Sequence, residues 1–388
     1  MNIFSIQVRH LAQTMRLALC MALASVGLGD ARAQVGAGVS PGASAAVVAS
    51  EPGSAGAAPA RKWASVPRVL GRITAQQLGV VINEDDPYST QVGAYYARAR
   101  GIPEDRVLRV KLPIRSSLSE AEFTALVKQI DGFFGDRVQG LALTWRLPYG
   151  VACNAITGAL AMGFDPKLCH DTCAVSRSSR YFGSASTAPW KDMRMRLSML
   201  VAAKDVDGAK ALIDRGVASD GTLGLRGAPR VNVHFVSTAD AVRSQRQLLF
   251  PPPGPVPALG LNVHLDQTEA LRDEDRVLIY LTGRATLEDL DRVRYVPGAL
   301  GDHLTSFGGV LDKPHGQTTV LSWIDAGVTA SYGTASEPCA HLQKFPHPQA
   351  LLLFYAQGAS ALEAYWKSVA WPQQGLFVGE PLAAPFAR

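Results

Sequence analysis

The chain has 388 residues, 38 basic and 33 acidic side chains, a net charge of +5 and a hydrophobic fraction of 47%. That apolar share is enough for a folded core of ordinary size. The near balance of charge excludes a dedicated nucleic-acid binder and a protein held to an anionic membrane by its charge.

Residues 1–33 read as a secretory signal peptide. Arg9, His10 and Arg16 precede or open an apolar run from Leu17 to Leu28, and Ala31-Arg32-Ala33 supplies a small-x-small cleavage site before Gln34. The run is about 12 residues, short of the roughly 20 that a membrane-spanning helix needs. Cys20 follows Leu19, where a lipidation site needs a small residue. Loss of Arg9, Arg16, Asp30 and Arg32 lowers the net charge to +3, and no later apolar run is long enough to span a bilayer. The sequence therefore predicts an exported chain, in the periplasm or at the cell surface, with no transmembrane segment after cleavage near Ala33 and no nucleic-acid partner. Residues 34–62 are mostly Ala, Gly, Ser, Pro and Val, a composition that cannot offset the entropy of ordering, and read as a linker.

Residues 63–388 read as one α/β domain. Leu78–Ile82 is a strand, and Asp86 followed by Pro87 caps a helix that carries Val92, Tyr95, Tyr96 and Ala99 and stops at Gly101. Val107–Leu112 is the second strand. Ser119 and Glu122 form a capping box, with Leu118 and Phe123 as its hydrophobic staple, and Val138–Trp145 is the third strand. Residues 146–225 break the rhythm and read as a loop-rich insertion or subdomain with a helix around Asp207–Arg215. The pattern resumes with a strand at Val231–Val236, a helix at Ala239–Leu248, strands at Leu261–Leu265 and Val277–Leu281, and further alternation through Thr318–Ile324, Val328–Tyr332, Pro348–Gln357 and Ser360–Val369. Strands and helices joined by short connections predict a layered, mostly parallel sheet flanked by helices. Tyr365, Trp366 and Trp371 read as packing aromatics, and His347, between prolines, as a surface-loop residue.

Four cysteines follow the signal region: Cys153, Cys169, Cys173 and Cys339. Export favours disulfides over a metal site built on Cys169-His170-Asp171-x-Cys173, three pairings are open, and the insertion is expected to be stapled by them. No cofactor is implied.

Ligands in open α/β sheets bind beyond the carboxyl ends of the strands, which directs attention to three loops. Asn83-Glu84-Asp85-Asp86 could hold a hard cation, although capping by Asp86 explains the same residues. Asp302, His303, Thr305 and Ser306, followed by Gly308-Gly309, contain the parts of an activated hydroxyl with an oxyanion site. On an extended chain, however, His303 and Ser306 would face opposite sides. The loop after Val328 offers Glu337 as acid, base or ligand, and Cys339 with His341 nearby.

The motifs from Pro297 to Gly309, Ser331-Tyr332-Gly333-Thr334 with Glu337-Pro338-Cys339, Lys344-Phe345-Pro346, Glu363 to Val369 and Gly379 to Ala383 resemble an uncharacterised family of exported bacterial proteins. That family is found in bacteria that also carry the exosortase and PEP-CTERM surface-sorting machinery. The likeness runs from Gly79 onward and implies no activity. The early strands, the Tyr280 to Gly283 strand end, the Thr305 strand end and Gly379-Glu380-Pro381 are also similar, more distantly, to gingipain-type and caspase-like cysteine peptidases. Those enzymes carry a His between glycines at the first of these strand ends and a nucleophilic Cys at the second. This chain has Thr282-Gly283-Arg284 and Thr305-Ser306 there.

These resemblances imply a caspase-like scaffold used for binding or assembly, with an exported protein or peptide as partner. The alternatives are a hydrolase rebuilt around Ser306 or Thr305 with His303 and Asp302, and a metal-dependent enzyme using Asp85, Asp86 and Glu337.

Overall fold

The computed structural model describes residues 60–313 and 315–388. The signal-peptide reading and nearly all of the 34–62 linker lie outside the described residues. No helix among those described is long and apolar enough to cross a membrane.

The first strand, β1 (Leu78–Asn83), is buried along its whole length and pairs in parallel with β2 (Val107–Val110). Helix α1 (Pro87–Arg100) connects them; the Asp86 carboxylate accepts the Tyr88 N–H at 2.9 Å, and Gly101 ends the helix at φ 60°. A two-residue strand β3 (Ser117–Leu118) precedes α2 (Glu120–Phe134), whose Ser119/Glu122 capping box forms as the spacing predicts. The two helices cover opposite faces of β1. Gly93 of α1 lies against Ile82, while Phe134 of α2 lies over Gly79, and residues 79 and 82 point to opposite sides of the strand. Strand β4 (Gly140–Leu143) pairs with β1 on its other side.

The 146–225 stretch is only partly an insertion. Strands β5 (Gly150–Val151) and β6 (Asn154–Ala155) join β3 in a small separate sheet, followed by α3 (Ile156–Met162), α4 (Lys167–His170) and α5 (Pro189–Met193). Strand β7 (Leu197–Leu200) then returns to the centre of the main sheet beside β4, and α6 (Val206–Ser219) packs on α1 and restores the alternation. Leu197-Ser-Met-Leu200 is too short for its period to mark it as a strand.

The second part contributes β8 (Val231–Ser237), β9 (Gly254–Val256), β10 (Leu261–Gln267), β11 (Val277–Thr282), β12 (Tyr295–His303), α7 (Val320–Asp325), β13 (Ala330–Thr334), α8 (Pro348–Ala356), α9 (Ala361–Ser368) and β14 (Gly375–Gly379). The expected helix over Ala239–Leu248 is a shorter 3-10 segment, Arg243–Leu249, because Thr238, Asp240 and Ser244 bond to one another in a tight turn that replaces its first turn. His347 is not a loop residue. It caps α8, its ring nitrogen accepting the Ala350 N–H at 3.4 Å. Tyr365 and Trp366 are fully buried, and Trp371 is half-buried against Ser178.

The eleven-stranded sheet runs β2-β1-β4-β7-β14-β13-β12-β11-β8-β10-β9. Strands β2 to β14 of this order are mutually parallel, as are β13 to β10, but β13 and β14 pair antiparallel, Ala330 with Gly379 and Thr334 with Gly375. Apart from the edge strand β9, which runs antiparallel to β10, the sheet is thus two parallel halves running in opposite directions. Their seam carries the aromatic centre of the core: Phe377 stacks on Trp366 at 4.3 Å between ring centres and meets Tyr332 edge-on at 5.0 Å.

Before β1, the chain straps across the C-terminal helices. The Val69 N–H donates to Gln357 and the Ile73 N–H to the buried Glu363 carboxylate at 3.0 Å.

Candidate functional site

The reversal at β13 and β14 separates the loops that the sequence singles out. Strand ends such as Asn83, where the acidic loop begins, lie at one edge of the sheet, while the carboxyl ends of β8, β10, β11, β12 and β13 lie at the opposite edge. Asp85 and Asp86 follow a strand end at one edge and Glu337 one at the other, the three form no metal-holding group, and the metal reading of these residues is corrected. Asn83 instead ties β1 to the end of β2: its side chain donates to Leu112 O at 3.0 Å and accepts the Leu112 N–H at 2.9 Å. No group of three or more His, Cys, Asp or Glu placed to hold a metal ion occurs among the described residues.

The four cysteines among the described residues are all paired, Cys153 with Cys169 and Cys173 with Cys339, so Cys339 is not a free nucleophile and Cys169-x3-Cys173 is not a metal pair. His341 lies beside the second bridge. Its Nε2 stands 3.0 Å from Cys173 O, and since a carbonyl only accepts, that nitrogen carries the proton.

The Asp302, His303, Thr305 and Ser306 run does come to a cleft, but not as a catalytic set. The Asp302 carboxylate is buried in an ion pair with Arg246, at 2.5 Å, and burial raises its pKa against the opposing pull of that guanidinium. His303 is 1% exposed. The Trp323 indole N–H donates to its Nδ1 at 3.0 Å, which leaves the proton on Nε2, a buried atom with no hydrogen-bond partner. Neither nitrogen is available as a base toward a hydroxyl. Thr305 donates to Gln317 Oε1 at 2.6 Å, and the same oxygen accepts the Phe307 N–H at 2.9 Å, so this hydroxyl pins the loop. Of the Gly308-Gly309 pair, Gly309 is not a free oxyanion donor. The Gly309 N–H is spent on Thr334 O at 2.9 Å, and the pair packs against Gly333, where a Cβ would sit 2.4 Å from the Gly308 carbonyl carbon.

Burial holds His303 down to about 3, with the neighbouring Arg246 charge acting in the same direction. The folded value lies below the unfolded one of 6.5, so the unfolded chain takes up the proton first as pH falls. The stability tied to neutral His303 is complete above about pH 6.5 and is lost on the way down to about 3. The unfolding free energies of the protein and of H303N, from urea titrations, should converge as pH falls, by up to about 1.4 kcal/mol per pH unit. A difference that stays constant with pH would contradict this.

What remains at the edge is a pair of hollows on either side of residues 239–249. One, of about 280 Å³, is lined by Val242 and Arg243, by Leu304, Thr305 and Ser306 after β12, and by Glu337 to Ala340 after β13. The other, about 510 Å³, is lined by Ser237 to Ala239, Gln247 and Gln267 to Glu269. In the first, Ser306 is half-buried, and no His, Asp or Glu side chain accepts its hydroxyl proton among the described residues. Glu337 accepts the Cys339 N–H at 2.8 Å, and Arg243 is paired with Asp240 at 2.7 Å. Cys339 and Ala340 both hold positive φ, 57° and 54°, a costly conformation for residues other than glycine, secured here by the bridge to Cys173.

At the β11 end, a Cβ on Gly283 would lie 1.9 Å from Arg243 O, so the turn carrying Arg243 packs directly on that strand end. Arg243 and Arg246 were not singled out in the sequence. A charged residue in the apolar-spaced segment 239–248 was the available signal, and its partner Asp302 lies 56 positions away.

No protein-family model matches the chain, and no curated protein matches it. Among solved structures, the arginine-specific cysteine proteinase gingipain R aligns with 81% of this chain and 80% of its own, at 10% identity and a TM-score of 0.36.

Proposed function

We propose that the chain is an exported, non-catalytic binding or assembly protein, linked to cell-surface protein sorting, that receives a protein or peptide partner across the strand-end hollows beside Ser306. The observation that carries this reading is His303. It is the single imidazole in the Asp302 to Ser306 run, and it is turned into the core against Trp323 with no hydroxyl on either nitrogen. Two disulfides fit an oxidising compartment, and the sequence features of residues 1–33 fit export. The resemblance to surface-sorting bacteria's exported family supplies the setting, and the absence of the His and Cys at the two peptidase-like positions supports binding without cleavage.

The test uses the purified, oxidised chain. A fluorophosphonate probe should leave Ser306 and Thr305 unlabelled, and a peptide library panned against the protein should return ligands whose binding S306W abolishes by filling the hollow. Stoichiometric labelling that S306A removes would establish the rebuilt hydrolase instead. Peptide ligands that bind S306W as well as the parent would place the partner surface elsewhere.

A further inference from the structure

A larger cavity, about 680 Å³, lies away from the strand-end edge, between α2 and the stretch from α3 to the residues just after α5. Its floor is apolar, with Phe123, Leu160 and Met195 among the lining side chains, and three guanidiniums, Arg177, Arg180 and Arg194, stand in its wall. No carboxylate lines it. Arg194 is paired with Asp136 at 2.7 Å, outside the lining, but Arg177 and Arg180 form no ion pair among the described residues. Each donates one N–H to a backbone carbonyl, of Met162 and Met193 respectively, which orients the guanidinium and leaves its other donors free.

We infer that this cavity binds a single-chain amphiphile with a carboxylate head, a fatty acid. The guanidiniums match a carboxylate in charge and in donor geometry. The volume falls within the range of small-ligand sites, about 300–1,000 Å³. The choice of an acyl chain over a peptide follows from the lining. Its neutral side-chain hydrogen-bonding groups are the hydroxyls of Thr124 and Ser178, so a peptide backbone entering it would leave amides unpaired at a cost an acyl chain does not incur. The two methionines in the lining, Met162 and Met195, adapt to a flexible tail. The wall that carries Arg177 and Arg180 follows directly on Cys169 and Cys173, so both bridges hold it in place.

Isothermal titration of the oxidised protein with sodium dodecanoate below its micelle concentration tests this. Dodecanoate should bind at one site, acetate should not bind, and dodecanol should bind at least about tenfold more weakly for want of the charge-assisted hydrogen bonds. R177A/R180A should lose at least about tenfold in affinity, and R177K/R180K should fall between, since lysine keeps the charge without the fork. Both arginines are exposed, and an unchanged melting temperature verifies the fold of each variant. S306W should leave dodecanoate binding intact, which separates this site from the strand-end hollow. Undiminished binding by R177A/R180A, no binding of dodecanoate by the parent, or saturable binding of an acetylated Leu-Leu-Leu-Glu peptide in its place would each overturn the inference.

Discussion

Replacing Arg246 by Met should destabilise the protein by about 3–5 kcal/mol in urea titration at pH 7.5, the cost of leaving a buried charge without its partner. Arg246 is 2% exposed and Asp302 fully buried; one Asp302 oxygen faces the guanidinium and the other already has no partner. The same guanidinium donates to Thr282 O at 2.7 Å, so the loss also frees the end of β11 from the 243–249 turn. With Arg246 gone, nothing opposes the burial that raises the Asp302 pKa, and the carboxyl will be protonated in the folded state at higher pH than in the unfolded state. A folded value above the unfolded one means that stability rises as pH falls through it. The deficit of R246M should therefore be largest near neutrality and shrink toward pH 4. R246M/D302N, which removes the charge altogether, should recover at least half of the loss and show no such recovery in acid. A loss under about 1 kcal/mol for R246M would mean that Asp302 is not an ion in the folded protein.

The two disulfides should differ in worth by about 2 kcal/mol. In the chain-entropy account the stabilisation grows as (3/2)RT times the logarithm of loop length, and the cysteines are separated by 16 residues in one bridge and 166 in the other. C173S/C339S should thus cost more than C153S/C169S, with each loss within roughly 2–5 kcal/mol. Beyond stability, Cys173–Cys339 secures the left-handed pair Cys339 and Ala340 in the wall of the strand-end hollow. Its loss should weaken peptide capture even under conditions where the domain stays folded. Equal losses for the two double variants, measured by chemical denaturation, would argue that native-state enthalpy rather than loop closure sets the values.

At the candidate site, neighbours in sequence part company in space. Asp302, His303, Thr305 and Ser306 are adjacent in sequence, and adjacency on a strand sends alternate side chains to opposite faces. His303 goes to Trp323 and Asp302 to Arg246, while Thr305 holds its own loop. Of the run, Leu304, Thr305 and Ser306 reach the hollow, and the residues that meet them there, Val242, Arg243 and Glu337 to Ala340, come from other strand ends. Glu337 is legible in the sequence as a strand-end carboxylate, and it lines that hollow. Arg243 is not legible there, because nothing in its own neighbourhood announces which strand end the turn covers.

What the sequence determined by itself is the local structure and the layer architecture. The Asp86-Pro87 cap, the Ser119/Glu122 box and the apolar runs at 78–82, 231–236 and 277–281 act within a few residues, and the same interactions form in the folded chain. Alternation of such runs with helices already specifies a mostly parallel sheet with helices on both faces. Tertiary structure alone decided that β14 enters between β7 and β13, parallel to the first and antiparallel to the second, that the sheet therefore has two opposed carboxyl edges, and which cysteines meet. Those outcomes depend on contacts between different segments of the chain, Val378 of β14 with Leu200 on one side, Gly379 with Ala330 on the other, and Cys173 with Cys339, and β14 is held there by the buried Tyr332, Trp366 and Phe377 cluster. No period or motif within a single segment carries that information.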